Sequence, residues 1–361
     1  MENLVEIVDN KINQVRTTSL DISFNELLDM YLNEELVIAP DYQRLFRWSQ
    51  EKSSRFIETL ILELPLPPIF VIEVEEGKYE LIDGLQRISS YIQFRGELSD
   101  KDNLILKDCD IVPDLNGLSY DDFPKTLQIK LKRNFIRVEV LRKESDTSLR
   151  YHMFKRLNSG GEILSEQEIR NCTIRILNPK INEFIIEMSG YQPFKNVTSK
   201  IKSEDIEKKK NEELVLRFFT LKNYLEHYDK YDSIDDYLTH YMELIASEDV
   251  IFDYNDERIH FKKTFDILDN ILGENIFSTK LNGNRFGRNF VLYYFDGLVL
   301  GIQKYLEKII QHNKYADLVS IIQDIKDNDE FYRARTGSKS NTKKRIQIVE
   351  SKLEEFFNGL H

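Results

Sequence analysis

Hydrophobic and polar positions follow two different rhythms along the chain, one before about residue 165 and one after it. In the first part, short apolar runs with a period of two are interleaved with stretches of helical period. Ser23 followed by Glu26 has the spacing of a capping box, and Phe24, Leu27, Leu28 and Tyr31 line one face of the helix it opens. Leu36 to Ile38 is a short extended run closed by Pro40. Ser49 caps a second expected helix, with Phe56, Ile57, Leu60, Ile61 and Leu64 on one side and Pro65 as its stop. Ile69 to Val74 and Tyr79 to Ile82 read as paired strands around a Glu75-Glu76-Gly77-Lys78 turn. Leu85, Ile88 and Ile92 predict a helix directly afterwards. Phe135 to Leu141 is a further strand, and Leu149, Met153, Phe154 and Leu157 line one more helix. This is the pattern of an α+β domain.

From Ser165 onward the rhythm is helical throughout. Ser165 and Glu168 form another capping box, opening a helix that carries Ile169, Cys172 and Ile176. Helical periods follow near 212–228, 234–246, 260–272, 285–310 and 342–357, without a convincing strand. Lys202 to Glu213 is dense in mixed charge and reads as a solvated helix face or a connector. The expectation is an α+β domain over residues 1–170 and an all-α domain over 171–361. A length of 361 residues fits that division at roughly 150 residues per domain.

Composition narrows the classes. With 50 Lys and Arg against 62 Asp and Glu, the net charge is −12. That disfavours an extensive nucleic-acid-coating surface, which needs cations facing the phosphates, but leaves room for a local basic site. Cys109 and Cys172 are too few and too far apart for a disulfide framework or a zinc cluster, and the six histidines are scattered. The start, MENLVEIVDN, is acidic and lacks the apolar stretch of a signal peptide. The longest apolar runs, around LPLPPIFVI and FVLYYF, are far short of a membrane span. The expectation is a reduced, cytoplasmic protein.

Three segments could carry chemistry. In Ile82-Asp83-Gly84-Leu85-Gln86-Arg87 a strand runs straight into a helix. Asp83 can cap that helix, with Gln86 completing a capping-box-like pair, and the first-turn N–H groups make an anion site that Arg87 can extend. An ordinary capped helix whose arginine pairs with a nearby carboxylate explains the same spacing. Asp41-Tyr42-Gln43-Arg44-Leu45-Phe46-Arg47-Trp48 places two arginines and the only Trp ahead of a helix. It suits phosphate binding and base stacking, or an aromatic staple with solvated arginines. Phe154 to Ser165 joins two helices through Asn158-Ser159-Gly160-Gly161, either as a plain junction or with Asn158 facing a Mg²⁺–phosphate group.

Taken together, these segments resemble the N-terminal domain family of GmrSD-type restriction endonucleases, a branch of the ParB/sulfiredoxin-like fold. The family pattern is met by Tyr42-Gln43-Arg44…Trp48, by Pro65-Leu66-Pro67-Pro68-Ile69, by Ile82-Asp83-Gly84-Leu85-Gln86-Arg87, and by Phe154 through Asn171. Leu85 departs from the commonest family form, Asp-Gly-Gln-Gln-Arg, at its variable middle position. The resemblance spans roughly residues 20–175. It implies nucleoside triphosphate binding and slow hydrolysis with Mg²⁺, coupled to restriction of modified phage DNA. Asp83, Gln86 and Arg87 would then be catalytic. Gln43, Arg44, Gly84 and Asn158 would bind nucleotide, with Asn158 also a possible metal contact.

The relatives that cut DNA usually carry a His-metal finger nuclease domain with an Asp-His pair, and no Asp-His dipeptide occurs here. A partner nuclease or effector is therefore expected. Two other readings stay open. One is a non-catalytic nucleotide- or DNA-binding regulatory module. The other is a metal-dependent nuclease using Pro40-Asp41 and Glu76-Gly77-Lys78. Near the C-terminus, Arg333, Arg335, Lys339, Lys343, Lys344 and Arg345 form a run of six cations without an acid. This run is a candidate nucleic-acid contact or simply a solvated loop. The stripes Phe218/Leu221/Leu225 and Phe290/Tyr294/Leu298 read as core.

Overall fold

The computed structural model describes residue 4, residues 17–38, 46–99 and 101–142, residue 153, and residues 165–281, 285–313 and 315–359. The chain divides into two compact units, Met1–Leu164 and Ser165–His361.

In the first unit the capping predicted from sequence does its work locally. The Ser23 hydroxyl accepts from the Glu26 N–H and opens helix α1 (Phe24–Leu32), whose Phe24, Leu27 and Leu28 are buried. The Ser49 hydroxyl accepts from the Lys52 N–H and opens α2 (Gln50–Ile61). This helix stops earlier than Pro65 requires. Leu62 closes it, and Glu63 turns the chain with φ of +55°.

The remaining elements of the unit are β1 (Thr17–Ser23), β2 (Leu36–Val37), β3 (Ile69–Glu75), β4 (Lys78–Asp83), α3 (Leu85–Phe94), α4 (Lys125–Arg133) and β5 (Phe135–Leu141). They build a five-stranded mixed sheet in the order β1-β5-β3-β4-β2. Strands β1/β5 and β3/β4 pair antiparallel, while β3/β5 and β2/β4 pair parallel. Strand β3 is central and apolar, with Ile69, Val71 and Ile72 buried.

Strand β1 and helix α4 were not legible in the sequence pattern. Strand β1 reads TTSLDIS, with only Leu20 and Ile22 apolar, yet it pairs with β5 over its whole length from Thr17↔Leu141 to Ser23↔Phe135. The partner strand supplies the backbone hydrogen bonds that the side chains do not advertise. The helix expected over 149–157 lies outside the described residues except for Met153, which is helical.

The second unit is helical. Its helices are α5 (Glu166–Leu177), α6 (Pro179–Ser189), α7 (Gln192–Val197), α8 (Ser203–Glu207), α9 (Lys210–Tyr224), α10 (Ile234–Ala246) and α11 (Tyr254–Leu272). They continue with α12 (Leu292–Gly301), α13 (Leu306–His312), α14 (Tyr315–Lys326), α15 (Asp329–Arg333) and α16 (Lys339–Asn358). The expected helical period over 285–310 is broken. Residues 285–291 are not helical, and α12 and α13 are separated by a short 3-10 turn. The charged stretch 202–213 becomes α8, which buries no residue, and the start of α9.

Phe218, Phe219, Phe261, Phe265 and Phe295 lie in the core of this unit in mutual edge, tilted and stacked contacts. Of the two aromatic stripes, Phe218, Leu221, Tyr294 and Leu298 are buried. Leu225 and Phe290 pack half-buried at the margin of the core. Gly301 of α12 lies against Val349 of α16 so closely that an added methyl would collide with it.

Candidate functional site

The first unit gathers its most distinctive polar residues where β4 meets α3. Asp83 ends β4, paired with Phe70 of β3, and Gly84 turns the chain with φ of 105°. The helix cap is therefore Gly84, without a side-chain cap bond, and not Asp83 as the spacing suggested. The reason is conformational. A left-handed N-cap suits glycine, and the Asp83 carboxylate accepts from the Arg87 guanidinium instead. Gly84 also lies against the Ile69 side chain, where no Cβ would fit.

Each side chain of this corner fastens another segment to it. The Gln86 Oε1 accepts from the backbone N–H groups of Arg47 and Trp48, at 3.0 and 3.1 Å. That oxygen is not free to complete a capping box with Asp83. The Arg87 guanidinium donates to the carbonyls of Pro67 and Pro68 and, at 2.9 Å, to Asp83 Oδ2. Arg87 is 14% exposed and Asp83 33% exposed. Burial pushes the Asp83 carboxyl above the usual carboxylate range, and the neighbouring Arg87 charge only partly offsets it.

Around the 46–48 segment, Trp48 meets Phe56 of α2 edge-on at 5.9 Å. The Lys101 ammonium lies 4.2 Å from the Phe46 ring centroid and donates to the Phe46 carbonyl. The arrangement can present the N-terminus of α3 to an anion, with one half-buried carboxylate beside it.

Residues 24–175 match the family model described as GmrSD restriction endonuclease, N-terminal domain. Over these residues the chain is similar to that family. No curated protein and no solved structure matches the chain.

Within this matched stretch, Gln86 and Arg87 hold the Arg47–Trp48 and Pro67–Pro68 backbones to the Asp-Gly-x-Gln-Arg segment. Gln43, Arg44 and Asn158 lie outside the described residues, as does Asp41 of the alternative nuclease reading. Glu76 of that reading is exposed in the β3–β4 turn. Among the described residues no group of three or more His, Cys, Asp or Glu side chains is placed to hold a metal ion. No described helix is long and apolar enough to cross a membrane.

The last residues of the fourth motif are structural. Ser165 and Glu168 close a true capping box at α5. Behind it Gln167 donates to Asn171, Arg170 donates to Gln167 and to Thr239 of α10, and Asn171 donates to Glu212 of α9. Gln167, Arg170 and Asn171 are all buried, so the motif locks α5 onto its neighbours.

The C-terminal cationic run changes character in three dimensions. Arg345 is 1% exposed and belongs to the interior, donating to the Ala334 and Thr336 carbonyls and to Asp296. It cannot face nucleic acid there. Lys343 pairs with Asp229, Lys344 with Glu330, and Lys339 donates to the Asp229 carbonyl. Arg335 stacks on Tyr332 at 4.4 Å, and Arg333 is exposed. The sequence run is free of acids, but the fold brings carboxylates to it from other elements.

Proposed function

We propose that residues 24–175 form a ParB/sulfiredoxin-like nucleotide-binding domain that binds and hydrolyses a nucleoside triphosphate. The chain would serve restriction of modified phage DNA, with strand cutting supplied by a partner nuclease or effector. One observation carries this reading. Gln86 ties the Arg47–Trp48 backbone, and Arg87 the Pro67–Pro68 backbone, to the start of α3, whose glycine N-cap follows directly on the strand end that carries Asp83. Pre-organised backbone N–H groups at such a corner favour phosphate.

The residues fit a Mg²⁺ ion, which takes most of its ligands from phosphate and water and needs only one or two carboxylates. Asp83 would hold it, and the ion would neutralise phosphate charge. The protein's own contribution follows from the contacts. Arg87 orients the Asp83 carboxylate, and Gln86 fixes the segment that follows Gln43 and Arg44. Both act on this geometry as positioning residues. Asp83, half-buried and with a raised affinity for protons, is suited to orient an attacking water or accept its proton.

The commitment of Gln86 and Arg87 to backbone partners also favours a second reading, a domain that binds nucleotide only to switch a partner. Phosphate release from each of the four NTPs, with Mg²⁺ and with or without DNA, separates the two. Hydrolysis lost in Asp83→Asn supports the enzyme. Saturable nucleotide binding without any phosphate release supports the switch, and no nucleotide binding overturns both.

A further inference from the structure

Helix α6 and the turn into α11 enclose an open cavity of about 490 Å³ in the second unit. Its floor is aromatic. Phe184 of α6 meets Phe252 and Tyr254 edge-on, at 5.6 and 5.2 Å, and Phe252 meets Tyr254 at 5.0 Å. Phe184 is buried, while Phe252 and Tyr254 pack half-buried at the margin of the core. Such rings offer apolar area together with an electron-rich face.

The chain seats two cations of its own on this floor. The Lys180 ammonium lies 4.3 Å from the Tyr254 ring centroid, and the Arg258 guanidinium lies 5.2 Å from that of Phe184. Arg258 also forks onto Glu187, with Nε donating to Oε1 at 3.0 Å and Nη2 to Oε2 at 2.8 Å. A ring and a carboxylate thus hold a guanidinium between them.

Two further carboxylates line the cavity without such a cation. Glu183 is exposed, and no cation among the described residues pairs with it. Asp253 gives Oδ1 to the N–H groups of Asn255 and Asp256, which caps α11 and leaves Oδ2 over. The segment Glu248 to Glu257 carries five acids and no cation. Glu257 turns inward to Lys222, and Glu248, Asp249, Asp253 and Asp256 are exposed. Among these acids Ile251 is 100% exposed, although its neighbours Val250 and Phe252 pack on the core.

We infer that this cavity takes an arginine side chain from a basic segment of a partner protein. Its methylene stem would lie against Phe252, and its guanidinium would meet Glu183 and Asp253 as Arg258 meets Glu187. Ile251 gives the neighbouring apolar residue of the segment a surface to cover. Four exposed carboxylates draw a basic segment in and turn phosphate-bearing ligands away. This surface belongs to the second unit and goes beyond the nucleotide reading of the first.

The test is fluorescence anisotropy with the full chain and a labelled peptide that has arginine at its centre and leucine on either side. The same peptide with citrulline, a neutral isostere, at that position should bind about tenfold more weakly. Glu183→Gln/Asp253→Asn should weaken the arginine peptide about tenfold as well. Ile251→Ser should weaken it about fivefold. Asparagine remains a good N-cap, so α11 should survive. Melting temperature checks this, and if the pair melts early Glu183→Gln alone decides.

Glu204→Gln/Asp205→Asn on α8 removes as much charge outside the cavity and should bind nearly as the native chain does. Equal affinity for the citrulline peptide, equal losses in the two acid variants, or no binding by the native chain overturns the inference. So does spermidine binding as tightly as the peptide while Ile251→Ser changes nothing, which would make the cavity a small-cation site. Duplex DNA binding that the cavity variants lose overturns it too. Phosphate release measured on the same variants keeps the two proposals apart. Loss of peptide binding with hydrolysis intact supports the cavity site, while hydrolysis absent with peptide binding intact discards only the nucleotide reading.

Discussion

Gln86 shows how one side chain can join two stretches of chain 38 residues apart. Its oxygen accepts from two successive backbone N–H groups at once. Gln86→Leu should therefore destabilise the first unit by about 1–3 kcal/mol and speed hydrogen exchange at Arg47 and Trp48. Gln86→Glu keeps the acceptor and should restore both. Unchanged exchange in Gln86→Leu would show that the segment is held by other means.

In the second unit Asp296 is the corresponding residue. It receives two bonds from Arg217, at 2.6 and 2.9 Å, and a third from Arg345 at 3.4 Å, all three side chains being buried. Asp296→Asn leaves two interior guanidinium groups without their shared counter-charge. The expected cost is about 3–5 kcal/mol by urea denaturation. A loss below about 1 kcal/mol would mean that water reaches the cluster.

The junction of β4 and α3 is legible in part. Asp-Gly after an apolar run announces a strand end and a turn, and the apolar spacing of Leu85, Ile88 and Ile92 announces the helix. What the linear pattern could not show is that Gly84 faces Ile69, because that contact depends on how β3 lies against β4. Gly84→Ala should cost more than about 2 kcal/mol, from its left-handed backbone together with the collision. Adding Ile69→Ala should relieve the collision and leave the backbone strain. A double-mutant cycle reads this as a coupling between the two sites, and simple additivity would refute the collision. Strand β1 marks the opposite case. Its polar edge sequence has too little alternation to be read, and pairing with β5 alone makes it a strand.

Across the molecule, buried charge links stability to pH. Burial, reinforced by Lys200, pushes the Lys326 ammonium down to about 7. The folded chain then binds fewer protons than the unfolded chain between about pH 7 and the ordinary lysine value. Stability must rise with pH through that window, the cost of burying the charge being fully present only below it. The neutral amine still has two N–H groups for the Asn275 and Ser278 carbonyls. The native chain should gain about 2 kcal/mol between pH 7 and 9, and Lys326→Met should lose that gain. Urea midpoints across this range measure it, and a flat native profile would contradict the assignment. The Cys109 thiol, which burial lifts to about 11, opposes this gain once the pH passes the ordinary thiol value of about 8.5.

Local pattern was enough for the α+β-then-helical order of elements, the caps at Ser23, Ser49 and Ser165, and the GmrSD motif segments, because these depend on neighbours a few residues apart. The use of charge was not legible in the same way. Arg345 reads as a surface cation in sequence and becomes an interior ligand of Asp296. Lys343 and Lys344 read as free and meet Asp229 and Glu330. Electrostatic partners are set by distance in space, and folding brings carboxylates from remote elements to cations that stand without an acid in the sequence.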